Sequence, residues 1–286
     1  MPSSGASILI SKLDLFEGLE WMRIQTDQHH FEPHTHGHFV VGMVETGAER
    51  FMHRGSHLLA HQGDLSLVNP DVVHTGEPAS PAGYVYRAFY PQASFLQNID
   101  PQGTLPYLRY PVVHDPELVQ RFLHIHQELT RRFLHSGRRV DLGLETALLE
   151  AFHLLLHRHA ERKAHHPFPG SHSVARQVQD FLEAHLQDPV RLETLAQVFQ
   201  MHPVVLVRVF KRQFGLPPHA YQNQRRIDRS RSMLRQGRAV AETALELGFF
   251  DQSHFTKHFR RVMGVTPGVY QKAVGGWQTG SNRPIP

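Results

Sequence analysis

The 286 residues include 30 Lys/Arg, 26 Asp/Glu and 24 His, with a net charge of +4 and no cysteine. A chain of this length can bury two sizeable cores, and without cysteine it has no disulfide, no iron–sulfur cluster and no thiol nucleophile. No run approaches the ~18 apolar residues of a membrane-crossing helix. The opening stretch, with Asp14, Glu17, Glu20 and Asp27, does not read as a signal peptide, so the expectation is a cytoplasmic protein with no membrane partner.

From about residue 20 to 95 the pattern is strand-like. Residues 39–45 and 63–68 are short, apolar and rich in β-branched side chains, and 84–90 reads as a further strand stopped by Pro91. Turns fall at Thr46-Gly47, Arg54-Gly55, Asn69-Pro70-Asp71 and Pro78-Ala79-Ser80-Pro81. Short strands at such close spacing predict a sandwich or barrel. His34 and His36 alternate along one stretch and so share a strand face. Since 19 of the 24 histidines precede residue 173, a His-x-His pair arises easily by chance here. Three readings stay open for these histidines: metal ligands, hydrogen-bonding groups for an organic ligand, or structural side chains. Glu45 and Arg87 are candidate polar anchors in the same pocket.

The period changes at Pro116. Leu118, Phe122, Ile125, Leu129 and Phe133 fall at helical spacing, Gly137 breaks the run, and a second helix carries Leu142, Leu144, Leu148, Leu149, Phe152, Leu155 and Leu156. These two amphipathic helices, within about residues 116–163, either pack on the barrel or also form a dimer face. Residues 165–171, His-His-Pro-Phe-Pro-Gly-Ser, read as a linker. The expected organisation is therefore a first domain over 1–164, a linker over 165–172, a helical domain over 173–275 and a loose tail over 276–286.

The helical part carries one pattern twice. Leu192-Glu193-Thr194-Leu195-Ala196 precedes a turn and then Leu206-Val207-Arg208-Val209-Phe210-Lys211, closed by Gly215. Val240-Ala241-Glu242-Thr243-Ala244 precedes a turn and then Phe255-Thr256-Lys257-His258-Phe259-Arg260, closed by Gly264. A small Ala lets two helices cross closely, and an apolar inner face with a basic outer face suits a helix laid in a major groove. Charge agrees: residues 173–286 hold 16 Lys/Arg against 8 Asp/Glu, and residues 1–172 hold 14 against 18.

In the first of these helices Leu206 and Phe210 lie one turn apart and should be core, leaving Val204, Val207, Arg208 and Lys211 facing out. Arg208 suits the O6/N7 pair of guanine, or else forms an intramolecular salt bridge; Lys211 and Arg212 suit phosphates. Valine touches only thymine methyls, so this motif either reads A·T-rich sequence or mainly docks while the second discriminates. In the second helix Phe255 and Phe259 are core, and Gln252, Ser253, Thr256 and Lys257 face out. Gln252 suits adenine and Lys257 guanine or phosphate, while Asp251 is placed to cap the helix. Arg225, Arg226, Arg229 and Arg231 should divide between carboxylate partners and phosphates.

Residues 174–272 resemble the C-terminal domain of AraC/XylS-family bacterial transcription regulators, above all in Gly248-Phe249-Phe250-Asp251-Gln252-Ser253-His254-Phe255 and Gly264-Val265-Thr266-Pro267. His202 departs from the capping Ser common at its position. The resemblance implies two motifs joined by a long helix, here about residues 218–234, and in turn promoter DNA, a homodimer, usually gene activation and then RNA polymerase as partner.

His34-Thr35-His36, Gly47, Gly63-Asp64, Asn69-Pro70 and His74 are similar to the two short motifs of a cupin barrel, which many such regulators carry as effector sensor. The implied fold is two-domain: an N-terminal all-β cupin (jelly-roll) barrel with two following helices, then a C-terminal all-α double helix-turn-helix domain. In metal-binding cupins two histidines, a glutamate and a later histidine share one ion. That resemblance assigns His34, His36 and His74 to a small-molecule effector or to a divalent transition metal, but places Val40 or Val41 where the glutamate should be. The leading reading is thus an effector-responsive, non-enzymatic transcription regulator. The alternative is a cupin metalloenzyme, dioxygenase-like, fused to a DNA-binding domain.

Overall fold

A computed structural model describes residues 6–13, 16–100, 103–135, 140–161 and 173–274. The expected linker at 165–172, the break at Gly137 and the tail at 276–286 lie outside the described residues. The chain divides into two compact units, and the main division falls between residues 171 and 172.

The first unit has three sheets among its described residues, of six, four and two strands, with two long helices and one short one. Its strands are β1 (Ser7–Lys12), β2 (Glu20–Thr26), β3 (Phe31–His34), β4 (Val40–Thr46), β5 (Ala48–His53), β6 (Ser56–His61), β7 (Asp64–Val68), β8 (His74–Pro78), β9 (Tyr84–Tyr90), β10 (Tyr107–Leu108), β11 (Val112–His114) and β12 (Ala160–Glu161). Its helices are α1 (Ala93–Ile99), α2 (Pro116–His135) and α3 (Leu142–His159). The two larger sheets have the orders β1-β2-β9-β4-β7-β11 and β3-β8-β5-β6, and β10 pairs with β12 in the small third one. The non-sequential order is that of a jelly roll rather than a meander.

The outward side of the six-stranded sheet and the helices share one core. Trp21, Val41, Met43, Leu65, Leu67 and Phe89 meet Phe122, Leu129, Phe152 and Leu155. Each helix starts on an aspartate that the sequence analysis did not single out: Asp115 Oδ1 accepts the Leu118 N–H (3.1 Å), and Asp141 Oδ1 that of Leu144 (2.9 Å). The packing of α2 and α3 on the sheet is therefore a finding. Leu134, Leu142 and Leu149 remain exposed.

The second unit is all helical: α4 (Val174–Ala184), α5 (Leu192–Val198), α6 (Pro203–Phe214), α7 (Pro218–Arg235), α8 (Val240–Glu246), α9 (Gln252–Met263) and α10 (Pro267–Val274). Pairs α5/α6 and α8/α9 are the two repeated motifs, and α7 joins them. Gly215 and Gly264 end α6 and α9 at φ 76° and 72°, each returning its N–H to the carbonyl four residues back at 2.8 Å.

Candidate functional site

Buried polar side chains lie between the two larger sheets. The register sets His34 on β3 opposite His74 on β8, and His53 on β5 opposite the other side of His74. His36, two residues beyond His34, joins from the turn after β3. Ring centroids lie 4.3 Å apart for His34–His74, 4.8 Å for His36–His74 and 5.9 Å for His34–His36. All three side chains are buried, and one ligating atom from each lies within 4.8 Å of the other two. The Nδ1–H of His34 donates to the Glu32 carbonyl (2.8 Å), that of His36 to His38 (2.9 Å) and that of His74 to Val72 (3.0 Å). A carbonyl only accepts, so Nδ1 carries the proton in each ring and Nε2 the lone pair. Burial holds His34 and His74 below the usual imidazole range.

Beside this cluster lie residues that the sequence reading missed. Glu49, on the same face of β5 as His53, bonds across the gap to Ser66, whose Oγ is 3.1 Å from the Tyr86 hydroxyl. A Cβ at Gly76 would stand 3.2 Å from Glu49 Oε1, so the glycine makes room for the carboxyl group. Glu49 Oε2, the Tyr84 hydroxyl and His53 Nε2 have no hydrogen-bond partner among the described residues. Burial pushes the Glu49 carboxyl up to about 8 and, with Arg54 adding to it, holds His53 down at about 4. The alternation of Glu49, Phe51 and His53 along β5, all three buried, is the signal that would have found two of them.

Glu45 and Arg87, expected in the same pocket, are elsewhere. Both project from the opposite face of the six-stranded sheet, toward α2. Arg87 donates to Glu45 (2.8 and 3.2 Å), Thr130 (3.1 Å) and His126 Nδ1 (3.0 Å). Glu45 also accepts from Gln127 (2.7 Å). A strand shows alternate residues to opposite sides, and this pair shares its side with Met43 and Phe89. The structure does not bring it to the histidines, so neither residue lies in the pocket expected for it.

On the second unit, Leu206 and Phe210 of α6 and Phe255 and Phe259 of α9 are buried, as their spacing predicts. Val204 (68% exposed), Arg208 and Lys211 on α6 and Gln252, Ser253 and Lys257 on α9 are solvent-facing, with Val207 and Thr256 half-buried. Arg208, Lys211 and Lys257 form no salt bridge among the described residues, so the intramolecular partner considered for Arg208 is not there. Asp251 Oδ1 caps α9 through the His254 N–H at 2.7 Å, whereas His202 makes no side-chain cap at α6.

Residues 18–152 match the AraC-like ligand binding domain family, and residues 195–273 match a helix-turn-helix domain family. The chain is an AraC-family transcription regulator. It is 28% identical over 247 residues to the uncharacterized HTH-type transcriptional regulator YbfI of Bacillus subtilis (strain 168), covering 85% of this chain and 88% of that one. It is 36% identical over 88 residues to the HTH-type transcriptional activator RhaS of Escherichia coli (strain SE11), covering 30% and 32%. Its fold is similar to that of ToxT from Vibrio cholerae O395, with a TM-score of 0.53 at 10% identity over 96% of this chain and 100% of that one.

The AraC-family regulator ties its two motifs together through α7. Arg226, expected among residues that pair or touch phosphate, is buried and donates to the carbonyls of Leu186 (2.6 Å), Asp188 (2.8 Å) and Gly248 (3.0 Å). Its guanidinium also lies 5.7 Å from the Phe249 ring centroid. Arg231 is buried too, 3.5 Å from the Tyr270 hydroxyl. Arg225 meets Glu183 (3.2 Å) and Asp228 (3.5 Å). Of the four, Arg229 alone is exposed. Among the described residues no helix is long and apolar enough to cross a membrane.

Proposed function

We propose that this regulator binds promoter DNA through the outer faces of α6 and α9 and takes a small-molecule effector in the polar gap between its sheets. The observation that carries the DNA assignment is the duplicated helix pair, each with a buried apolar inner face and a basic outer one, on which Arg208, Lys211 and Lys257 form no salt bridge among the described residues. Val204, Val207, Arg208 and Lys211 contact one major groove, and Gln252, Ser253, Thr256 and Lys257 the next, about 34 Å along one face of the duplex. Arg208, Gln252 and Lys257 read base edges, and Lys211 positions on phosphate.

The effector contacts His34, His36 and His74, with Glu49, Tyr84 and His53 offering further unpaired groups. Its binding changes DNA affinity by favouring one arrangement of the two domains, a coupling of about 1–3 kcal/mol. The segment at 165–172 is where we place that change, between a sensor domain over 1–164 and a DNA-binding domain over 173–275. The exposed leucines of α2 and α3 support a homodimer. The match to an activator supports activation and contact with RNA polymerase. We place the protein in the cytoplasm, with its DNA. The buried, apolar Val40 and Val41, where metal cupins carry a carboxylate, speak against the dioxygenase-like alternative and for a protein without catalytic activity.

The test is binding of the full chain to fragments of its own upstream DNA across a salt series, with unrelated DNA as control. Tight binding to one fragment with a steep salt slope supports the reading. Equal binding to every fragment, with and without cell extract as effector source, overturns sequence-specific regulation.

A further inference from the structure

We infer that Phe250 is a DNA contact of the second motif, its ring set against the methyl group of a thymine at the edge of the groove that α9 enters. This rests on the reading of α9 as a groove helix, and it adds to that helix a residue outside its own span.

The first argument is register. Helices α6 and α9 are both 12 residues long, and both close on a left-handed glycine. Before them, Met201 and Phe249 correspond, since each returns its N–H to an alanine, Ala196 and Ala244. From Met201 to Leu206, the first buried residue of α6, is five positions; from Phe249 to Phe255, the first of α9, it is six. The second turn is therefore longer by one residue. That residue is Phe250, between Phe249 and the capping Asp251, whereas the first motif runs from Met201 straight into His202 at the start of α6.

The second argument is exposure in a fixed place. Phe250 is 87% exposed, the highest value among the large apolar side chains described. A lone apolar residue at a surface is ordinary; the position of this one is not. Both neighbours are held. Phe249 is buried with its ring near the Arg226 guanidinium, and Asp251 Oδ1 accepts the His254 N–H. A side chain on a held backbone loses little freedom when it binds.

The third argument is continuity. Residues Phe250 to His254 form one exposed run, followed on the same helix by exposed Lys257, Arg260 and Arg261. A basic face of this kind suits a polyanion, and the N-terminal end of a recognition helix is the part that meets base edges. The apolar group that a major groove offers is the thymine methyl, and phenylalanine contributes apolar contact alone. The extra residue thus gives the second motif a thymine preference at a position with no counterpart in the first.

The test takes the upstream fragment bound by the full chain and replaces thymine by uracil one position at a time, which removes a single methyl group. Affinities of the parent, Phe250→Ala and Lys257→Ala are measured on each duplex and on random DNA, with melts to check folding. The parent should lose about fourfold on one uracil duplex, the worth of one methyl group. Phe250→Ala should melt as the parent does and bind the thymine duplex about tenfold more weakly, with no further loss on that uracil duplex.

If Lys257→Ala loses specific binding while Phe250→Ala binds every duplex as the parent does, α9 lies in the groove and the Phe250 contact is overturned. If neither variant loses specific binding, the groove reading of α9 fails as well. A loss in Phe250→Ala that is equal on random DNA, or that leaves every uracil effect as in the parent, assigns the ring to the sugar–phosphate edge and overturns the thymine contact.

Discussion

Gln200 and Gly248 occupy the same turn of the two helix pairs and adopt the same left-handed backbone, at φ 51° and 72°. The residue after each returns its N–H to the corresponding alanine: Met201 to Ala196 at 2.9 Å and Phe249 to Ala244 at 3.0 Å. The duplication visible in the sequence is thus a duplication of backbone geometry, although the first copy places a side chain where the second has none. At Gly248 there is no room for one, since a Cβ would lie 2.3 Å from the Gln187 carbonyl oxygen.

The two turns should therefore respond in opposite directions. Gly248→Ala combines a left-handed alanine, costing about 1–2 kcal/mol, with a backbone clash, and is expected to destabilise the helical unit by about 3 kcal/mol or more. Gln200→Gly relieves the same backbone preference and should be neutral or stabilising by up to about 1 kcal/mol. Denaturant melts of both variants measure this, and equal effects would remove the geometric account.

Arg226 is the next point of sensitivity. Replacing it with Leu removes the donors that serve Leu186, Asp188 and Gly248, and buried carbonyls left unpaired cost about 1–3 kcal/mol each. We expect a loss of roughly 3–5 kcal/mol, with Arg226→Lys in between because an ammonium cannot span the same carbonyls as a planar fork. The DNA phenotype should differ from that of a contact residue. Where Arg226→Lys still folds, it should tolerate one base pair inserted between the two groove elements better than the parent, as footprinting on spacing variants would show.

On the DNA-facing side, Arg208→Ala and Lys257→Ala should each weaken binding to the specific fragment by about 1–3 kcal/mol while leaving random DNA nearly unaffected. Lys211→Ala should weaken both alike and reduce the salt slope by about one unit. Equal losses on both DNAs for Arg208→Ala would make it a phosphate contact.

Acid should destabilise the sensor unit through His126. This ring is fully buried against Trp21 and Phe89, donates Nε2–H to the Met22 carbonyl (2.9 Å) and accepts from Arg87 at Nδ1. Burial, with Arg87 and then Arg23 adding positive charge, pushes it down to about 3. Unfolded, it takes up a proton near pH 6.5; folded, it does so only near 3. The unfolded state therefore binds more protons between those values, and stability falls as pH drops through that window. Glu45 lies on the far side of the Arg87 guanidinium and does not touch the ring. His126→Gln keeps a donor for Met22 and an acceptor for Arg87 but cannot titrate. It should flatten the acid limb by up to about 1.4 kcal/mol per pH unit, measured as melts at pH 7 and 5. An unchanged limb would assign acid sensitivity to other histidines.

Much of the second unit was legible in the chain because its determinants are local. Leu206 and Phe210, Phe255 and Phe259, the Asp251 cap and the two closing glycines sit within one or two turns of the backbone they control. The span expected for the joining helix, about 218–234, falls within the observed Pro218–Arg235. Helix α1 and the pairing of Tyr107 with Glu161 were not anticipated: seven residues after Pro91 are too few for a helical period, and a two-residue strand has no pattern.

The sequence by itself determined that there are two repeated helix pairs with basic outer faces, a strand-rich half before them, and a His-x-His pair with a later histidine. Tertiary structure decided which side of each strand faces inward. Strand side chains alternate, and register is set by partners many residues away, so one step of register exchanges the two faces. That choice sends Arg87 and Glu45 to α2 and His126, and it carries Glu49 and His53 to the neighbourhood of His74. Arg226 likewise stands among several arginines along α7, and only the carbonyls that the fold brings around it make it the tie between two motifs.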